Sequence, residues 1–248
     1  MRKQSSRPVV VVSCEHASPR VPAPLRGLGL PADVLRSHRA FDVGALPVAR
    51  RLAAACGVGL VAGTWSRLVA DLNRSAHHPA VIARRVDGRA VPGNRLSAAE
   101  RSARLSQYWQ PYRDEVERRV ARASRDGFCV HFSVHSFVER LGGVERRNDI
   151  GLLFDPHRPR ERAVATLLRE RLVQAGWSVR FNFPYFGNTD GLTSFLRARH
   201  RAADYLGFEV ELNQRVARTA DGQRRLARDL VAAVRAYLSG CMRTTAST

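Results

Sequence analysis

The sequence is short of lysine, of paired cysteines and of long apolar runs, and each shortage closes off a class of protein. Lys3 is the sole lysine among 41 basic residues, so the net charge of +19 rests on arginine spread along the whole chain. A nucleic-acid-binding surface gathers its cations into a dense tract with aromatic residues between them, because phosphate neutralisation and base stacking act together. The sequence has no such tract, and a general bias towards arginine explains the charge better than a binding face. Specific nucleic-acid binding is therefore not expected, although nonspecific contact with polyanions is. A basic nucleic-acid-binding protein with an idle site stays open as the rival of a different class.

The four cysteines, Cys14, Cys56, Cys129 and Cys241, stand singly. Without a Cys-x-x-Cys pair there is no zinc ribbon and no redox motif, and reduced, mostly buried thiols in a cytoplasm are the expectation. Cys14 reads as small apolar filler in preference to a nucleophile. No apolar run approaches the ~20 residues of a membrane-spanning helix. The opening MRKQSSRPVVVVSCEHAS turns from basic and polar to a short β-like run and back, which gives a secreted or membrane-bound protein no support.

What is present is enough for one large core: 248 residues with 44% hydrophobic content. A single domain over residues 1–240 is expected, with 241–248 as a disordered tail. Residues 9–13 (VVVVS) read as a strand buried on both faces. A helix over 44–56, a strand over 60–65 and an extended piece at 68–72 follow, and then a long surface loop over 77–94 with its Pro-Gly and Asp-Gly pairs. Ser97 and Glu100 form a capping box at the head of a helix reaching about Ser124, which Pro111 should kink or interrupt. In the run 128–135, Val130, Phe132 and Val134 alternate with Cys129, His131, Ser133 and His135. A strand over 150–154, a helix over 160–175 and a strand over 178–181 come next. The last strand sets Phe208, Val210 and Leu212 against Glu209 and Glu211, and a closing helix spans 220–238. Strands alternating with helices predict an α/β fold with a mostly parallel sheet and helices on both faces.

In such sheets ligands bind outside the carboxyl ends of the strands, and polar residues gather there in this chain: His16 after the first strand, His135 at the end of the fourth, Glu209 and Glu211 in the last. Asp42 falls just before a helix. Two histidines and a carboxylate meet the ligand demand of a catalytic zinc, which keeps one position open, and a further carboxylate, Glu211, can move the proton of an attacking water. Taken singly, His16 reads equally well as a core histidine, Asp42 as a helix cap and Glu211 as an exposed edge charge; His131 reads as buried structure.

The chain resembles the N-formylglutamate amidohydrolases over nearly its whole length. The resemblance lies in Val12–Ser18 with Arg20-Val21-Pro22, in His38–Ala45, in Ser66–Arg74 and in Val134–Phe137. It continues in Asn148–Gly151, Asn182–Tyr185 and Glu209–Gln214. It implies a three-layer α/β/α sandwich around a mixed, mostly parallel sheet, like that of zinc carboxypeptidases and deacylases. It also implies one zinc on His16, Asp42 and His135, with Glu211 as general base. Pro19 stands where the zinc carboxypeptidases place a ligand glutamate, a departure from their pattern that bears on Asp42 among the three implied ligands.

The expected reaction is cleavage of a small N-acyl amino acid, N-formyl-L-glutamate to formate and glutamate, with a deacylase or carboxypeptidase-like hydrolase on another amide as the nearer rival. A substrate ending in carboxylates calls for arginine, whose planar fork pairs with them bidentately. Arg67 and Arg74 are the expected clamps, with Asn73 as a donor to a carbonyl oxygen. His200, at the end of the segment Gly191–His200, is a further candidate, and Arg199 beside it reads rather as a solvated helix arginine.

Overall fold

The structure, a computed structural model, describes residues 7–246, with side chains through Cys241. The β-branched run forms β1 (Pro8–Cys14), and β2 (Leu60–Ala62), β3 (Phe128–Phe137), β4 (Ile150–Leu153), β5 (Val179–Phe181) and β6 (Tyr205–Asn213) complete one six-stranded sheet. Its order is β2-β1-β3-β6-β4-β5. The strands β2, β1, β3 and β6 run parallel, β4 lies antiparallel to β6, and β5 follows β4. The two central strands β3 and β6 are buried at every position.

The period-2 alternation of β3 and β6 sorts residues between two helical layers. Helices are α1 (Ala45–Ala55), α2 (Ala98–Arg104), α3 (Gln110–Asp126), α4 (Pro159–Gln174), α5 (Leu192–Arg199) and α6 (Ala220–Ala246). On one face Val12, Phe132, Val134, Phe208 and Val210 pack with Leu52 of α1, Leu168 of α4 and Leu230 of α6. On the other, Val11, Cys129 and Tyr205 pack with Val116 and Val120 of α3 and Leu196 of α5. The result is the three-layer α/β/α sandwich.

Several boundaries differ from the sequence reading. Pairing of β2 stops at Ala62, and 68–72 is a series of turns instead of an extended piece. Those turns are tied down by Ser66, whose Oγ donates to the Ala40 carbonyl at 2.8 Å, and by Asn94, whose amide donates to the Leu68 carbonyl at 2.9 Å. The loop 77–94 is not free surface: it buries Val81, Ile82 and Val91 and holds a short hairpin of Arg85–Val86 with Arg89–Ala90. The capping box at Ser97 and Glu100 is present. The α-helix is interrupted just ahead of Pro111: a π turn over Leu105–Trp109 joins α2 to α3, and the proline, which has no N–H to donate and crowds the carbonyl four residues back, falls in the first turn of α3. The helix α6 continues past Gly240 to Ala246, so the helical backbone covers most of the segment read as a tail; residues 247–248 lie outside the described residues.

Candidate active site

Three adjacent parallel strands deliver the site. His16 follows the end of β1, His135 lies near the end of β3, and Glu211 stands beside His135 in register on β6. Asp42 comes from the loop before α1, and its backbone N–H donates to the His16 carbonyl at 2.9 Å. The cap residue of α1 is Gly44, at φ 83° and with no side-chain cap bond, so the Asp42 carboxylate is not spent on capping. On the other side of Glu211, β4 presents Gly151. A Cβ at that position would collide with the Phe183 carbonyl and crowd the Glu211 Cβ at 3.2 Å.

Asp42 Oδ2 sits between the two imidazoles, 2.9 Å from His135 Nδ1 and 3.4 Å from His16 Nδ1, and it accepts from the Ser136 amide at 3.1 Å. The outer nitrogens face carboxylates as well: His16 Nε2 lies 2.7 Å from Asp71 Oδ1, and His135 Nε2 lies 2.9 Å from Glu15 Oε2. Glu15 is held in turn by hydrogen bonds from Ser133 Oγ and from Tyr112 Oη, the latter at 2.8 Å. Deeper in the sheet, His131 bonds to Ser13 Oγ at 2.8 Å and to Tyr205 Oη at 2.9 Å, as buried structure behind the site.

Carboxylates and imidazoles in this cluster shift one another's ionisation. Burial opposes ionisation of Asp42, but the His16 charge and the hydrogen bonds from both rings hold its carboxyl far below the usual range. For His135, burial pulls downward and is outweighed by hydrogen bonds to Asp42 and Glu15, so its pKa rises well above the ordinary value. His16 is lowered by burial and by Arg67 and raised further by Asp71 and Asp42, for a net rise. Two imidazoles that hold their protons this firmly occupy a place suited to a cation, and one donor atom each from His16, Asp42 and His135 lie within 4.8 Å of one another. Outer nitrogens anchored on carboxylates are the usual support of histidines that ligate metals. The donor set fits a divalent metal such as zinc.

Glu211 is the exception to the dense pairing. It is buried, and its Oε2 has no hydrogen-bond partner among the described residues. Burial first, then the nearby charges of Asp42 and Glu209, push its pKa up to about 8, against the opposing charge of His135. An orphaned carboxylate oxygen in a cleft that also holds a charge cluster marks a group whose partner arrives with the ligand.

The cavity in front of the cluster measures about 160 Å³. It takes its walls from His16, Asp42, His135 and Glu211 and from three of the four expected substrate residues, Arg67, Asn73 and Arg74. Arg67 is committed on both arms, with Nη2 2.8 Å from Asp71 Oδ2 and Nη1 3.4 Å from Asp42 Oδ1. Arg74 Nη1 donates to the Asp190 carbonyl at 3.3 Å and lies 4.0 Å from Asp190 Oδ2. Asn73 Oδ1 accepts from the Leu192 amide at 2.8 Å, and its Nδ2 lies 3.5 Å from Glu209 Oε2.

His200, expected at the pocket from the sequence, is not among the residues that line this cavity. The segment Gly191–His200 forms α5, whose first turn touches the site through Leu192. Eight helical residues at about 1.5 Å each carry the histidine roughly 12 Å further on, where its ring packs near Tyr205. Conversely, the sequence reading passed over Asp71 and Glu15, both inside segments it had singled out, because nothing local in a lone carboxylate shows which ring it will meet.

The sequence model of the N-formylglutamate amidohydrolase family matches residues 8–217. Solved structures that share the fold include the gene product Atu2144 from Agrobacterium tumefaciens. It is 32% identical, with 98% of this chain and 92% of that one covered and a TM-score of 0.82. They also include an N-formylglutamate amidohydrolase from Ralstonia eutropha JMP134, 23% identical, with 95% and 94% covered and a TM-score of 0.74. No curated protein matches this chain.

Proposed function

This chain belongs to the N-formylglutamate amidohydrolase family, and from that membership we propose that it is a metal-dependent hydrolase of the amide in a small N-acyl amino acid, with N-formyl-L-glutamate as the reference substrate. The observation that carries the reading is the unpaired Oε2 of buried Glu211 in the same cavity as the His16, Asp42 and His135 cluster.

In this reading His16, Asp42 and His135 hold one zinc or a neighbouring divalent metal, which supplies a Lewis acid for the scissile carbonyl and acidifies water. Asp71 and Glu15 keep the outer ring nitrogens protonated and leave both Nδ1 atoms for the cation. Glu211 ionises more readily once positive charge sits in the cluster. Its Oε2 then takes a proton from the attacking water, whose oxygen bonds to the acyl carbon. The C–N bond breaks, and Glu211 returns the proton to the leaving nitrogen, giving a carboxylic acid and a free amino acid. Arg74, with Arg67 beside it, faces the substrate carboxylate, and Asn73 orients the amide.

The test is elemental analysis of the purified protein followed by chelation. One divalent metal per chain is expected, with release of formate from N-formyl-L-glutamate lost on stripping and restored by zinc. Full activity in a demonstrably metal-free sample overturns the reading.

A further inference from the structure

The turn that carries Asp71, Asn73 and Arg74 is held from behind by one line of donors. Arg101 Nη2 donates to the Ala76 carbonyl at 2.6 Å, Trp109 Nε1 to the Arg74 carbonyl at 3.0 Å and Arg113 Nη1 to the Leu72 carbonyl at 3.1 Å. Residues of α2, the π turn and α3 thus take alternate carbonyls of the turn, in reverse order. At about 100° per residue an unbroken α-helix would fan residues 101, 109 and 113 over about 120°. The π turn, in which the Gln110 amide reaches the Leu105 carbonyl, takes up one extra residue and narrows that fan to about 40°. Trp109 is buried in the same apolar cluster as Leu72.

Arg113 is a poor choice for stability alone. Its side chain is buried, and its Nε and Nη2 have no hydrogen-bond partner among the described residues. Burial pushes its pKa down to about 10, against the opposing charge of Glu15, so it remains a cation at neutral pH. A buried cation short of partners costs stability, and an apolar side chain of similar volume costs less. What the guanidinium supplies is the Leu72 bond and a planar bridge, 4.9 Å from the Trp109 ring centroid and 4.3 Å from that of Phe195. Phe195 stands on α5, whose first turn gives the Leu192 amide to Asn73 Oδ1 at 2.8 Å. The backbone before Asn73, its side chain and the backbone after it are therefore fixed by donors from α3, α5 and the π turn.

We propose that Trp109 and Arg113 are positioning residues for substrate binding: by holding the carbonyls on either side of Asn73, they set Asn73 and Arg74 towards the amide and the carboxylate of the substrate. The proposal rests on the amide-hydrolysis reading above. It is tested by kcat, KM, zinc content and Tm of Trp109→Phe and Arg113→Met, with N-formyl-L-glutamate as substrate. Trp109→Phe keeps an aromatic ring and removes the N–H, while Arg113→Met keeps the bulk and removes the donor. KM should rise about three- to tenfold in each, the worth of one hydrogen bond, with kcat within about twofold and zinc near one per chain. The Tm of Arg113→Met should stay within about 3 °C of the wild type or exceed it. Trp177→Phe is the control: it loses an indole N–H bonded to Asp229 Oδ2 at 3.0 Å on the other face of the sheet, and its KM should not move. In an Arg74→Ala background Trp109→Phe should change KM by less than about twofold, because the residue it acts through is gone. An unchanged KM in Trp109→Phe and Arg113→Met, an equal rise in Trp177→Phe, or full additivity with Arg74→Ala overturns the proposal and leaves the amide-hydrolysis reading standing. No hydrolysis by the wild type overturns both.

Discussion

Asp71 Oδ1 stands 2.7 Å from Nε2 of His16, on the ring nitrogen opposite the one that faces Asp42. An imidazole held this way has its tautomer fixed, with the outer N–H donated to the carboxylate and Nδ1 presented to the cluster. Asp71→Asn keeps the size of the side chain and removes the charge that anchors both His16 and Arg67. Metal affinity should fall about 10–100-fold, the usual cost of losing such a support. Competition against a chromogenic chelator measures it, and an unchanged affinity would remove Asp71 from the positioning role.

Arg67→Ala separates two functions that a substrate clamp alone would not combine. Because Arg67 bridges Asp42 and Asp71, its loss leaves two buried carboxylates short of a counter-charge, so both the KM and the metal affinity should change. Arg74→Ala, whose nearest carboxylate is the half-exposed Asp190, should raise KM and leave metal content near normal. Arg67→Lys should not restore the wild-type values, since an ammonium cannot span two carboxylates as the guanidinium does. Equal effects of the two alanine variants on metal content would contradict this division.

The parts legible in the sequence are those that local periodicity or chain order specifies. The alternation along residues 128–135 placed His135 on the polar face because each strand residue inverts direction, and β3 shows that sorting. Strand-end positions gave His16 and Glu211 for a similar reason. Asp71 and Glu15 were not legible, because their roles depend on how the turns after β2 fold against β1, a tertiary approach with no periodic trace. The sequence reading put 68–72 in an extended piece, and that geometry could not have turned Asp71 towards His16. Asp42 lay between: its position before a helix suggests a cap, and only the packing of its loop on β3 turns the carboxylate towards the rings.

The metal-stripped protein should show Glu211 as a liability to stability. Its folded pKa of about 8 lies above the ordinary carboxylate value, so the folded state holds a proton that the unfolded state has released. Stability then falls as pH rises from about 4.5 to 8 and levels off beyond. Glu211→Gln has no proton to lose, so its Tm should match that of the wild type near pH 4 and exceed it increasingly towards pH 8. Thermal melts in chelator across that range measure the gap, and a gap that is constant or shrinks with pH would refute the assignment.

The same substitution tests the proposed chemistry once zinc is present. Glu211→Gln preserves shape and leaves the His16, Asp42 and His135 set intact, but an amide cannot accept the proton of the attacking water. General acid–base catalysis supplies about 10²–10⁴-fold, so kcat should drop at least about a hundredfold with zinc content near one per chain. Glu209 is the control on the same face of β6, and it is engaged: Thr193 Oγ1 donates to its Oε1 at 2.7 Å, and Asn73 Nδ2 approaches its Oε2 at 3.5 Å. Glu209→Gln keeps an acceptor for Thr193 and should act through Asn73, raising KM more than it lowers kcat. If Glu209→Gln instead abolished turnover while Glu211→Gln did not, Glu209 would be the base. If Glu211→Gln lost its zinc, Glu211 would be a ligand, and Asp42, held between two imidazoles, would serve only to orient them.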